Sequence, residues 1–349
     1  MTRRVVAIAV ALVVVVVAGL VVWRLGRPGS ELERALAMTP ADTERATWTD
    51  WAGVRRELGA SLDASSSSEQ LASFLDDAFA EDLSSMSALL SSADVLQQEV
   101  GFSPATLEWE LFAQSSAGAV DLMRVTEEVD LDEVGDRLEA LGWQRPEEDD
   151  GTWVGGPDVL SGVGTGLTPE LQHLTLLADD DLIVSSDQIP YLEDAGAAVR
   201  GDAESADDLA DLSAGLDDPL AAAVYAGPYA CEKLAMAQAD DDASAEADQL
   251  VERAGGVHPL TGFAMAERAG GDVRVVMQVE DQDDAASDAD ARAALAAGPA
   301  PGQGGSFTDR FTVEQAGSRG RTITMDLEPE EGEYVLSDLT SGPVLFATC

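Results

Sequence analysis

Apolar residues are distributed in three distinct ways along this chain. From Val5 to Trp23 they run without a charge for nineteen residues, nearly all Val, Ala, Leu and Ile. At 1.5 Å per residue a helix of that length covers about 28 Å, the thickness of a bilayer's hydrocarbon core. Arg3 and Arg4 precede the run, and Trp23, Arg24 and Arg27 close it. This is the flanking of a membrane anchor, and the free amino terminus tips the balance toward N-terminus inside. The alternative is a cleaved signal peptide, with Ala18-Gly19 as the small-residue site, but the run ends in Val-Val-Trp-Arg-Leu-Gly-Arg-Pro and lacks a clear cleavage pattern. In both cases the remainder is exported.

Downstream the period becomes helical, then two-fold. A short stem, residues 28–44, leads to a strand at Ala46–Trp51 and a helix beginning at Ala52–Leu58. Leu71, Phe74, Leu75, Ala78 and Phe79 recur at helical spacing, as do Met86, Leu89, Leu90 and Leu96, predicting two amphipathic helices. Leu107–Gln114 and Val120–Glu128 flank Ser115–Gly118 as a hairpin, and Leu131–Leu141 is a helix stopped by Gly142. Trp143–Arg145 with Thr152–Val154, and His173–Leu177 with Leu182–Ser185, give two further hairpins.

The same order returns after Asp218-Pro219. A strand at Ala221–Ala226 and a helix from Tyr229 toward Val251 precede paired strands Phe263–Glu267 and Val273–Glu280 around Gly270-Gly271. Asp288–Ala297 is helical, Phe311–Gln315 and Thr322–Asp326 flank Gly317–Gly320, and Tyr334–Leu339 with Val344–Thr348 closes the pattern as a last hairpin. The expected class is therefore α+β: an anchor in residues 1–27, a stem in 28–44, and two similar units at 45–190 and 219–349. Each unit should be a mostly antiparallel sheet with helices on one face, and residues 191–218 form an acidic linker.

Composition narrows the partners. The chain of 349 residues has 66 Asp and Glu against 20 Lys and Arg, a formal charge of −46. Nucleic acid and anionic lipid head groups are repelled by such a body. The acidity serves solubility, life at high salt or diffuse attraction of cations. Lys233 is the only lysine in this Ala-, Asp-, Gly- and Val-rich chain. With that bias, and with Met38–Leu58 (MTPADTERATWTDWAGVRREL) following a single-pass head, the sequence resembles N-terminally anchored exported proteins of the actinobacteria. Those proteins are uncharacterised, so the resemblance implies placement and body plan and no chemistry.

Catalytic and ligand motifs are sparse. His173 and His258 are the two histidines, and neither has a Cys, His or carboxylate at ligand spacing. Ser161–Gly166, SGVGTG, precedes Leu167-Thr168-Pro169 and lacks the Lys-Ser/Thr of a phosphate loop. No G-x-S-x-G elbow is present. The acidic runs Asp240–Asp242 and Glu280–Asp284 lack the spacing and glycine of a calcium loop. Trp109, Trp143 and Trp153 fall on or beside strands and read as core. No catalytic residue, cofactor or metal is therefore expected.

The function expected is a non-enzymatic cell-envelope module that binds a protein, a wall component or a small ligand. Its alternatives are a carrier of an apolar ligand between sheet and helices, and a hydrolase using two carboxylates. Cys231 and Cys349, the only cysteines, are expected to be joined, because export favours paired cysteines and two allow one intramolecular pairing.

Overall fold

The computed structural model describes residues 29–349. The expected anchor, Val5–Trp23, lies outside the described residues. Among those described, no helix is long and apolar enough to cross a membrane.

The strands are β1 Arg45–Thr49, β2 Leu107–Gln114, β3 Ala119–Val125, β4 Thr152–Val154, β5 His173–Leu177, β6 Leu182–Ser186, β7 Ala221–Ala226, β8 Leu260–Glu267, β9 Val273–Val279, β10 Phe311–Arg319 and β11 Thr322–Pro329. The principal helices are α1 Glu31–Leu36, α2 Trp51–Glu57, α3 Ser68–Ala80, α4 Leu131–Leu141, α5 Pro157–Val163, α6 Ile189–Val199, α7 Asp207–Ser213, α8 Asp241–Ala254, α9 Ala285–Ala296 and α10 Val335–Thr340. The class is α+β, with all strands in a single antiparallel sheet.

The sheet order is β10-β11-β9-β8-β7-β1-β2-β3-β6-β5-β4. The expected division into two sheets is thus replaced by one continuous sheet. At its centre the first strands of the two halves pair antiparallel, Arg45 opposite Tyr225 and Thr49 opposite Ala221. Each of these strands has a free edge whose backbone groups need a partner, and each satisfies the other. Outward from that junction the order β1-β2-β3-β6-β5 is matched by β7-β8-β9-β11-β10. α4 follows β3 as α9 follows β9.

Alternation along the strands divides the core. One face carries Ala46, Trp48, Leu111, Leu122, Val184, Val224, Ala264 and Val276. Over it lie Leu32 and Leu36 of α1, Tyr191, Leu192 and Ala195 of α6, and Leu209 and Leu212 of α7. Helices therefore cover both faces of the sheet, not one, and the second layer comes from the segments expected as stem and linker. The physical reason is that a sheet centre made of strands such as Ala-Ala-Ala-Val-Tyr-Ala is apolar on both sides and needs two covers. The opposite face holds two separate clusters, each built mostly from one half, with Met86 joining the second half's and Leu220 the first half's.

Two local expectations are corrected. Met86–Leu96 is not a second amphipathic helix. It is a run of turns ending in short helical turns at Ala93–Val95 and Leu96–Val100. Its serines compete for the backbone: the Ser87 hydroxyl accepts from Leu89 N at 3.0 Å and donates to Glu110 at 2.7 Å. The last expected hairpin is instead α10, in which Val335, Leu336 and Leu339 are buried at helical spacing, followed by a 3₁₀ turn at Leu345–Ala347.

Candidate functional site

The site builds from α3. Ser67 and Gln70 form a capping box that starts the helix. Leu71, Phe74 and Ala78 turn inward and are buried. A second stripe, Ala72, Leu75 and Phe79, runs along the outer flank of the same helix. With Leu90 and Ala93 opposite, it bounds an open groove of about 610 Å³. Phe79 is 54% exposed and Tyr334 37% exposed, and they are the large hydrophobic residues left exposed among the described ones. Their rings meet at 5.7 Å between centroids, tilted by 32°. Glu69, Asp76 and Asp94 also line the groove.

The contact between α3 and Tyr334 joins distant parts of the chain, and a buried carboxyl fixes it. Asp82, in the left-handed region at φ 56°, is buried. It accepts from Ser337 N of α10 at 2.9 Å and from the Ser85 hydroxyl at 2.8 Å. Burial raises its carboxyl above the usual range against those hydrogen bonds. The exposed aromatic pair thus stands on a buried polar support.

Other titratable groups lie under the sheet's second face. Glu110 and Asp121 are each 1% exposed and occupy diagonal positions on β2 and β3, since Glu110 faces Met123 and Phe112 faces Asp121. Glu110 accepts from Trp51 Nε1 at 3.0 Å, Ser87 Oγ at 2.7 Å and Ala88 N at 2.6 Å. Burial nevertheless raises it. Asp121 stands well above the usual range, first through burial and then through the charge of Glu110. One of its oxygens, and the hydroxyl of the facing Ser185, have no protein partner. Glu267 on β8 is pushed up to about 9 by burial and by the charges of Asp82, Glu81 and Glu57. Glu110, Asp121 and Glu267 are all buried.

The sequence-derived candidates are placed as follows. His173 sits on β5, its imidazole lowered by burial. His258 has a carboxylate partner that spacing did not reveal: its backbone N and Nδ1 bond Asp288 at 3.0 and 2.7 Å, and Asp284 lies 3.6 Å from Nε2. The Asp288 hydrogen bond raises the imidazole. Asp288 also meets Arg292 at 3.2 Å, and Arg292, with none of its surface exposed, donates to the carbonyls of Phe346 and Thr348 at 2.7 and 2.9 Å and to that of His258 at 2.5 Å. This network clasps the segment leading to Cys349, with the His258 ring on its exposed side.

Cys231 and Cys349 are joined, their Cα atoms 5.7 Å apart. Cys231 lies in the helical turn Ala230–Leu234, and Cys349 follows the turn Leu345–Ala347 rather than a strand. Asp240 is the N-cap of α8, accepting from Ala243 N at 2.8 Å, so the triple Asp serves a helix end. Asp281 accepts from Asp283 N at 2.9 Å in the turn before α9. Ser161–Gly166 leaves α5, and the Gly166 carbonyl accepts from Ser92 Oγ at 2.7 Å. Trp109 packs on Trp48 at 5.3 Å, and Trp143 donates to the Gln172 carbonyl at 3.1 Å. Trp153 lies buried beneath the Arg145 guanidinium, 4.7 Å from its ring centre. Among the described residues no group of three or more His, Cys, Asp or Glu is arranged to hold a metal ion.

No protein-family model matches the chain. Comparison with characterised proteins likewise gives no match. Among solved structures, crystal form I of TP0453 is similar at a TM-score of 0.37 and 7% identity, over 89% of this chain and 98% of that one. A likeness that distant carries no argument about this chain.

Proposed function

We propose that the chain is an exported, membrane-held and non-enzymatic binding module whose contact face is the α3 groove with Phe79 and Tyr334. The groove is the observation that carries the reading. Elsewhere the surface is dominated by Asp and Glu, while here apolar side chains line an open channel and two aromatic rings stay in water. Export is supported by the apolar run Val5–Trp23 and by the Cys231–Cys349 bond, which persists in oxidising surroundings. The repeated strand order supports a body made by duplication of one unit, fused through β1 and β7 into a single sheet.

The test is residue-resolved shielding. With both natural cysteines paired, Ala72→Cys and Asp283→Cys each introduce one free thiol on the exposed surface. On intact, wall-stripped cells an impermeant maleimide should label position 283 at the rate seen in the purified chain and position 72 several-fold more slowly. Equal rates at position 72 in both settings overturn the binding role. Failure to label position 283 on intact cells overturns export.

A further inference from the structure

Resting on that reading of the groove, we infer that its occupant is a basic amphipathic helix of a partner protein. The shape comes first. Ser68, Leu71, Ala72, Leu75, Asp76 and Phe79 line one wall at intervals of three and four. They follow the α3 axis for about three helical turns, or about 17 Å. On this flank Leu71 is buried and Leu75 half-buried while Ala72, Asp76 and Phe79 are exposed, and it accepts a second helix laid along it with apolar side chains at i, i+3 or i+4, and i+7. Phe79 lies at one end, its ring 5.7 Å from that of the exposed Tyr334, and offers an apolar contact to an aromatic or long aliphatic side chain of the partner.

Charge decides the rest. The groove is lined, among the described residues, by three carboxylates, Glu69, Asp76 and Asp94, and by no basic residue. Among the described residues no ion pair engages any of the three, and Gln98 Nε2 donates to Asp94 at 2.8 Å. An apolar stripe flanked by Lys or Arg would meet all three as it docks. The same charges oppose the other occupants. An anionic membrane surface is repelled, and a second copy brings its own formal charge of −46 against these carboxylates.

The probe is a fluorescein-labelled, amidated 18-residue peptide with Leu at helical a/d spacing and Lys on both flanks. Two controls are a Lys→Glu peptide and an isomer with its Leu residues spread around the helix. Binding to the full chain in zwitterionic nanodiscs is read by anisotropy against empty nanodiscs. Micromolar binding is expected for the Lys peptide alone. It should weaken at least tenfold in Leu75→Glu and in Phe79→Ser. Both a Glu69→Gln/Asp76→Asn/Asp94→Asn variant and a rise from about 50 to 500 mM salt should weaken it several-fold. Cooperative melting above the assay temperature and parental far-ultraviolet dichroism show that the variants are folded, Leu75→Glu melting lower because Leu75 is half-buried against the core. Equal binding of Lys and Glu peptides, or insensitivity to these substitutions, overturns the inference. So does sedimentation showing a groove-dependent dimer, or groove-dependent binding of the chain to lipid vesicles. If the peptide fails while position 72 remains shielded on cells, the partner class is wrong and the binding role stands.

Discussion

Replacing Cys231 and Cys349 by serine should destabilise the second half by an amount set by the unfolded chain. In the native state the tail is held independently of the sulfurs. Phe346 is buried against Phe307 at 5.3 Å and Phe263 at 6.4 Å between ring centres. Val344 N donates to the Leu234 carbonyl at 2.8 Å, beside the turn that carries Cys231. Arg292 holds the carbonyls of Phe346 and Thr348. Native geometry should therefore change little when the bond is lost. The crosslinked residues are 118 apart in sequence. In the chain-entropy model a loop of that length costs the unfolded state about 16 cal/mol/K, or about 4.9 kcal/mol at 25 °C. Residual structure in the unfolded chain reduces this, and a measured loss of about 3–5 kcal/mol is expected. The assay is urea unfolding of residues 28–349, oxidised chain against the double serine variant, followed by tryptophan fluorescence and far-ultraviolet dichroism. The midpoint should fall while the variant keeps native amide protection at residues 344–348. A loss below about 1 kcal/mol refutes the reasoning. Collapse of protection in the tail before unfolding would show that the sulfurs, not Arg292 and Phe346, position it.

Three further outcomes follow from the packing. Arg292→Met removes a fully buried cation, leaves three carbonyls without its N–H groups and leaves buried Asp288 with His258 alone, so a loss of about 3–5 kcal/mol is expected by denaturant titration; less than about 1 kcal/mol contradicts the clasp. Glu267, with a folded pKa of about 9 against an ordinary 4.5, keeps a proton in the folded chain that the unfolded chain has lost, so its contribution to stability declines as pH rises from 4.5 toward 9. Glu267→Gln should remove that decline and raise the melting temperature at about pH 8, and a variant with the same pH profile as the parent argues against it. Residues 28–218 and 219–349, produced separately, should each fold poorly with a bare β1 or β7 edge and recover native dichroism when refolded together; two independently stable halves would show that the central pairing is dispensable.

The strands were largely legible because they are short, β-branched or alternating, and bounded by turn residues such as Asp179–Asp181 and Gly270-Gly271. Their assembly was not. Nothing in Arg45–Thr49 or Ala221–Ala226 names a partner strand so far away in the chain. The short helix α1 and the acidic α7 are too brief to show a period, and α6 is rich in Ala and Gly, so the residues that cover one whole face read as stem and linker. Val335, Leu336, Leu339 and Val344–Phe346 read as strand by composition, and tertiary burial at helical spacing overrode that preference. On α3, sequence placed Leu71, Phe74, Leu75, Ala78 and Phe79 on one helix without separating the buried stripe from the exposed one. That separation depends on Leu90 and on Tyr334, both distant in sequence. The cysteine pair was legible because two cysteines leave one pairing.

The central claim, that this chain binds through the α3 groove outside the membrane, is tested most directly by photo-crosslinking in intact cells. A benzophenone attached to the thiol of the Ala72→Cys variant should give a discrete, higher-mass adduct. The same reagent on the Asp283→Cys variant should give none, and adding Leu75→Glu to the Ala72→Cys chain should abolish the adduct. Adducts of equal yield at positions 72 and 283, or an adduct at position 72 that survives Leu75→Glu, would contradict the claim.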